Sequence, residues 1–480
     1  MLERREDDKM LKIKSLKEQL SVSDILNYVR KHEMVLHHYM HLKAMYDNKN
    51  DIKHRIQQDA SKPNNKISHA YASYITDVIT GYFMGKPISY SFEDDALAEQ
   101  FNDIFKYNDE SAENVQLATD SSIYGCAVEL LYVDTDLMPR FKAINPCEVI
   151  AVYDCSIEEN LIGAIRHWEV EVDEEQVDYV EYYTKDKVIK FTSNKDGGLI
   201  SGIEEQPHYF GDVPIVVVEN NKDCCSDFGK VVDLIDAVDK AVSDTANDFE
   251  MFTNCIMLIK GAELTDEVAE QIRTMRILNL VGENGEQVDA QYLTKNIPDV
   301  ALENYKNRLV EDIHKFAGVP NMSDENFGNN LSGVSIQFKL SNLEFKCATK
   351  EAYFRKAMLR RIELICNLQG LLGKVGNVKD VIKNVDIRFT RNTINNTNEI
   401  IQQAIQLSTL VSKETVLEML TGFISSVDEE KERLAEEKEE SISFMQDNFD
   451  AHNPQYADEE EETWDIGSKD KEQEEEQQKE

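Results

Sequence analysis

Between Phe228 and Phe252 apolar side chains recur at alternating spacings of three and four: Val231, Ile235, Val238, Val242, Thr245, Phe249 and Phe252. On a helix that spacing draws one narrow stripe, and a stripe of this length needs a second long helix to cover it. The chain supplies one after Pro298, where Leu302, Tyr305, Leu309, Ile313 and Phe316 are in phase and Gly318, Val319 and Pro320 end the run. Residues 253–297 between them read as a compact insertion. It holds a strand "CIMLIKG", a helix over residues 266–276, a strand "RILNLVG", a "GENGE" turn and "AQYLT". A helix that leaves, a small α/β cap and a helix that returns make a projecting hairpin. Its packing residues are Val231, Ile235, Val238, Val242, Leu302, Tyr305, Leu309 and Ile313. Asp233, Asp236, Asp239, Asp244 and Asp248 fall on the other faces of the first helix and read as solvated.

The rest of the chain is organised around this hairpin, and the fold class is α+β. Residues 1–60 read as helical and charged. Residues 65–90, "NKISHAYASYITDVITGYFMGKPISY", carry a helical stripe of Ile67, Tyr71, Tyr74, Ile75, Val78 and Tyr82 stopped by Gly85 and Pro87, and another helix covers residues 113–124. Short β-branched and aromatic runs over residues 127–220, from "AVELLYVD" to "VPIVVVEN", predict a meander or mixed sheet. A polar, Asn/Gly/Ser-rich loop follows the hairpin, and a long helix runs over residues 335–370, about 50 Å at 1.5 Å per residue. Lys339, Lys346, Lys350, Arg355, Lys356, Arg360 and Arg361 make that helix net positive, suited to phosphate or to the acidic surface of a neighbouring chain. "VDIRFTR" reads as a strand, residues 395–423 as a helix pair turning at "VSKET", and the Glu/Lys-rich remainder as helical at first and then a disordered acidic tail.

Charge and motifs exclude several function classes. The formal net charge is −39, of which residues 427–480, with 22 acidic and 6 basic side chains, carry −16. An acidic body repels nucleic acid at long range, so nonspecific DNA wrapping is excluded. The eight Cys include no CxxC pair and read as reduced thiols of a cytosolic protein. The beginning "MLERREDDKMLKIKS" has no apolar signal core, and no apolar run approaches the roughly 20 residues that span a bilayer. Neither Gly85-Lys86 nor Gly373-Lys374 completes a phosphate-binding loop, which needs an earlier Gly and a following Ser/Thr. In "HEMVLHHYMH", His37 and His41 stand four apart, with His32 and His38 nearby. Without a matching Cys or carboxylate they read as a solvated helix face and not as a metal site.

Three stretches, taken in order, resemble the portal proteins of tailed double-stranded DNA bacteriophages of the siphophage type. "NKISHAYASYITDVITGYFMGKPISY" is similar to that family's N-terminal signature helix with its GYxxGKPI-like turn, and "INPCEVIAVYD" to its wing strand. "GVPNMSDENFGNNLSGVSIQFKL" is similar to the segment joining a stem helix, the tunnel loop and the long kinked helix. The resemblance covers about residues 46–434. It implies a ring, usually of twelve subunits, at one capsid vertex of the virion, assembled in the host bacterial cytoplasm. Its parts here would be wing (1–226), stem helix (227–252), clip (253–297), stem helix (298–318), tunnel loop (319–334), long helix and wing strand (335–394), crown (395–440) and an acidic tail (441–480).

The implied partners are the terminase that drives packaging, head-completion proteins, major capsid and scaffolding proteins, and double-stranded DNA in the channel. No cofactor and no enzymatic activity of its own are implied. Asn326, Phe327, Gly328, Asn329, Asn330, Leu331, Ser332 and Gly333 of the loop would face the channel. Lys339, Lys346, Lys350 and Arg355 would contact a neighbouring subunit or DNA. The charge fits this role, because each neutralised phosphate adds affinity and a conduit must not hold its cargo. An acidic cytosolic scaffold or adaptor is the competing reading. It accounts for the charge but not for the hairpin or the loop. An enzyme, such as a nuclease or metal hydrolase, needs a carboxylate/His constellation that the sequence does not offer.

Overall fold

The structure is a computed structural model. It describes residues 12–57 apart from 18, then 59, 62–172, 175–193, 202–253, 256–260, 266, 270, 289–293, 299–322, 333–373, 375–393, 397–420, 427, 430–431 and 433–438. The chain divides into two units, residues 1–393 and 394–480.

Two sheets organise the larger unit. Strands β1 (Lys12–Lys14), β5 (Val149–Tyr153), β6 (Leu161–Val172), β7 (Glu175–Tyr183), β8 (Lys187–Ser193) and β9 (Glu204–Pro207) lie side by side in that order. Every pair is antiparallel except β1 with β5, which is parallel. Strands β3 (Cys126–Val133), β4 (Pro139–Ile144) and β10 (Ile215–Glu219) form a second, antiparallel sheet with β3 in the middle. The meander expected over residues 127–220 thus splits into two. β1, "KIK", alternates polar and apolar residues but at three residues is too short to stand out as a strand in the sequence.

Side chains alternate across a strand, and here both faces of the larger sheet are covered. Ile150, Val152, Ile165, Val180, Tyr182 and Phe191 face helix α1 (Val22–Tyr46), which presents Ile25 and Val29. Val149, Ala151, Ala164, Tyr183 and Val188 face the main core instead. α1 opens with a capping box, Ser21 and Asp24 each satisfying the other's backbone N–H.

Helices α2 (Tyr71–Met84), α3 (Asp95–Tyr107) and α4 (Glu110–Tyr124) follow. α2 buries Ala72, Ile75, Ile79 and Phe83. The expected stripe is therefore offset: Tyr71, Tyr74, Val78 and Tyr82 are half-buried beside that face, and Ile67 precedes the helix. The tyrosines sit at the edge because their hydroxyls need partners. Tyr74 donates to the Pro320 carbonyl (3.0 Å) and Tyr82 to Glu344 (2.8 Å). α3 is a helix beyond those the sequence patterning predicts; Phe101, Ile104 and Phe105 mark its buried face and Asp94 caps it. Gly125 ends α4 at φ +85°, where any Cβ would meet the Cys224 backbone, so only glycine fits.

The hairpin comprises α5 (Val232–Thr253), the antiparallel pair β11 (Ile256–Lys260) and β12 (Asp289–Leu293), and α6 (Asp299–Ala317), with α5 packed on α6. The expected helix over 266–276 and strand "RILNLVG" lie outside the described residues, apart from positions 266 and 270. Gly318, at φ +71°, ends α6. Helix α7 (Gly333–Leu371) is one uninterrupted helix of 39 residues, so Gly333, expected in the loop, belongs to its first turn. After α8 (Val378–Asn384), another unanticipated helix, β13 (Asp386–Arg388) pairs with β2 (Ser89–Ser91). In the smaller unit, α9 (Thr397–Leu407) and α10 (Lys413–Met419) flank the "VSKET" turn, where Ser412 accepts from the Thr415 N–H (3.3 Å). The acidic tail beyond residue 440 lies outside the described residues.

Candidate functional site: the root of the hairpin and the long helix

Three buried polar clusters fix how α5, α6 and α7 leave the body. The first centres on Asp227, just before α5. Its carboxylate accepts from Lys350 (3.0 Å) and Asn220 (3.0 Å) and pairs with Lys346 (3.1 Å). Lys346 also donates to the Ala317 carbonyl (3.0 Å), a cation placed at the C-terminal end of α6 where the helix dipole favours it. Burial alone would raise the Asp227 carboxyl, yet Lys350 and Lys346 hold it well below the usual carboxylate range. One anion thus ties α5, α6 and α7 together.

The second cluster lies further along α7. Arg361, fully buried, donates to both Glu129 oxygens (2.8 and 2.6 Å), to Glu110 (3.1 Å) and to Asn114 (2.8 Å). Its guanidinium also covers the Phe141 ring. Burial opposes the charge, but Glu129 and Glu110 raise the guanidinium's pKa and keep it ionised. A bidentate fork of this kind locks α7 to β3 and α4. The sequence did carry a sign of it, since Glu129 interrupts the apolar run "CAVELLYV" and a charge inside such a strand needs a buried partner.

The third cluster corrects the expectation of a solvated acidic face on α5. Asp239 is fully buried. It accepts from the His69 N–H (2.8 Å), the His69 ring (2.7 Å) and Asn50 (2.5 Å). Asp244 pairs with Arg55 (2.6 Å), and Ser243 accepts from the Ile67 N–H (2.9 Å). These bonds lay Asn50, Arg55, Ile67 and His69 along α5.

Burial of the hairpin residues falls off away from this root, with Phe316 an exposed side chain at the root itself. Val231, Ile235, Val238, Leu309 and Ile313 are buried and Val242 and Leu302 half-buried. Tyr305 is 52% exposed, Phe249 59% and Val300 76%. Tyr305 and Phe316, placed in phase with the seam by sequence, are exposed because α5 alone cannot cover a stripe that wide.

On α7, Lys350 and Arg361 are buried against acids of their own chain, so neither is open to phosphate or to a neighbour in this fold. Lys346 is spent on Asp227 and Ala317. Arg355 donates to Glu351 (2.8 Å) and the Ile387 carbonyl, while Lys339 is half-exposed. Which lysine of a long helix turns inward depends on where a distant Asp227 falls, and spacing alone does not carry that. Asn326, Phe327, Gly328, Asn329, Asn330, Leu331 and Ser332 lie outside the described residues.

Of the histidine run, His41 lies 3.2 Å from Asp51 and His37 is exposed, whereas His32 turns inward. Among the described residues no group of three or more His, Cys, Asp or Glu could hold a metal, and no helix is long and apolar enough to cross a membrane.

Residues 26–443 match the family described as phage portal protein, SPP1 Gp6-like. A portal protein of Clostridium phage phiCD119 is 25% identical over 435 residues, which is 85% of this chain and 94% of that protein. The portal protein of Bacillus phage SPP1 is 24% identical over 404 residues, 79% of this chain and 77% of that protein. The match runs through the hairpin, both helices that flank the loop, and the clusters that anchor them: the chain belongs to the SPP1 Gp6-like family of phage portal proteins.

Proposed function

We propose that this chain is one subunit of a closed ring of twelve at a capsid vertex, through which a terminase motor drives double-stranded DNA and from which the DNA later leaves. The family match over residues 26–443 carries this reading. In it, α5 and α6 are the stem, and the insertion holding β11 and β12 is the clip that meets terminase and later head-completion proteins. The segment at 319–334 is the tunnel loop. The β-rich body with α7 is the wing, in contact with capsid and scaffolding proteins, and α9 with α10 opens the crown.

Two physical features support the assignment. The bare outer half of the hairpin, with Phe249, Met251, Val300 and Tyr305 exposed, suits a stem whose remaining faces are covered by neighbouring copies. The charge of −39 suits a wall that DNA slides past without capture. Of the α7 cations named above, Lys339 is half-exposed, and in this reading it contacts a neighbour or DNA. Negative-stain imaging with light scattering on the purified full chain tests the proposal. Rings with a central hole are expected, of about 660 kDa for twelve copies of 55.1 kDa. A monomer at every salt concentration would sink it.

A further inference from the structure

We propose that His32 and His167 form a proton-sensitive latch that docks α1 onto the six-stranded sheet. The two rings come from distant parts of the chain, α1 and β6, and meet edge-on with His32 Nδ1 2.7 Å from His167 Nε2. Both side chains are buried, at 1% and 6% exposure, in the interface that Ile25 and Val29 make with Ile165 and Val180. At that distance one nitrogen donates its proton and the other accepts, so at least one ring is neutral.

The charged groups around the pair do not compensate a proton on it. Arg30, Lys31 and Glu33 flank His32 on α1 and are exposed. Glu169 and Asp178 face each other across β6 and β7, two residues beyond His167 and its partner Val180. Glu148, at the start of β5, is taken by Arg166. Among the described residues no carboxylate hydrogen-bonds either ring. Burial therefore dominates, and it pushes His32 down to about 3, with the facing imidazole adding to it, and His167 down to about 4.

The two protonation steps differ. A first proton leaves the hydrogen bond intact but places a charge in an apolar interface. A second sets N–H against N–H and breaks the bond. Once α1 lifts away, both imidazoles return to the ordinary value near 6.5. The undocked state thus binds more protons than the docked state between about pH 6.5 and pH 4, so docking weakens as pH falls through that window. Two linked protons predict a loss of about 100-fold in the docking equilibrium between pH 7.5 and pH 5.5, and one linked proton about 10-fold. The effect reaches α5, because the chain just after α1 bonds to it, Asn50 to Asp239 and Asn65 to Asn247.

Hydrogen exchange on the full chain, corrected for intrinsic rates, reads this directly. Between pH 7.5 and pH 5.5, α1 is expected to lose about 100-fold in protection beyond any loss in α2, which has no such pair. His167→Asn should reduce the excess loss to about 10-fold, and His32→Leu with His167→Leu should abolish it. If α1 and α2 of the unaltered chain lose protection equally, the latch is refuted, whether or not the variants fold. An excess loss that persists in the folded double variant refutes it as well.

Discussion

The two halves of the α5–α6 hairpin are made of the same residue types and behave oppositely. At the root, Ile235 and Ile313 are sealed in the core and Asp227 and Asp239 hold four segments of chain together. Toward the tip, Phe249, Val300 and Tyr305 stand exposed on the same two helices. Two helices can bury one seam between them but not the flanks on either side, so an apolar residue off that seam stays exposed in the single chain. The root is an intrachain structure, and the outer half leaves apolar side chains that the proposed ring would cover.

This contrast can be broken at its strongest point first. Arg361→Met leaves Glu129 buried without its partner and should cost about 3–5 kcal/mol, read as a drop in the denaturant midpoint. An unchanged midpoint would mean that α7 is not anchored by this pair.

A smaller loss is expected from the apolar contacts at the root. Ile313→Ala should cost about 2–5 kcal/mol, whereas Tyr305→Ala near the tip should stay within about 0.5 kcal/mol for the isolated chain and weaken its self-association. Equal losses at the two positions would erase the distinction between the halves.

The smallest effect sharpens the comparison on the acidic side of α5. Asp236 has one buried oxygen without a hydrogen-bond partner among the described residues. Burial, aided by Asp51, pushes its pKa up to about 6. The folded chain therefore holds this proton more tightly than the unfolded chain does. The stability it contributes is complete below about pH 3.8 and lost as pH rises through about 6. Asp236→Asn should raise stability on the order of 1 kcal/mol at pH 7.5, after allowance for solvent screening, and have no effect near pH 3.5. A gain of equal size at both pH values would show that the charge is not the cause.

Much of the hairpin was legible because its signal is local. A spacing of three and four over 22 residues declares a helix with a partner, and Pro298 and Gly318 bracket the partner. The amphipathic α3 is equally legible, from Phe101, Ile104 and Phe105. The buried charges were not legible as individuals. Lys339 and Lys350 are alike in sequence, and only the arrival of Asp227, 123 residues earlier, distinguishes them. His32 was hidden in the same way among four histidines of one helix, its partner 135 residues away. Properties that depend on one element are written in periodicity, whereas those that depend on a meeting of two distant elements are not.

The parallel pairing of β1 with β5 also sets an order of events. Residues 12–14 have no strand to join until residues 149–153 exist, and the Lys12–Glu219 ion pair spans 207 residues. Contacts this far apart in sequence close late, because a long loop must be ordered first. The helices over residues 22–124 can therefore form while β1 is still unpaired. In that interval the outer edge of β5 presents a row of open backbone groups, the surface on which a newly made chain is most apt to pair with another.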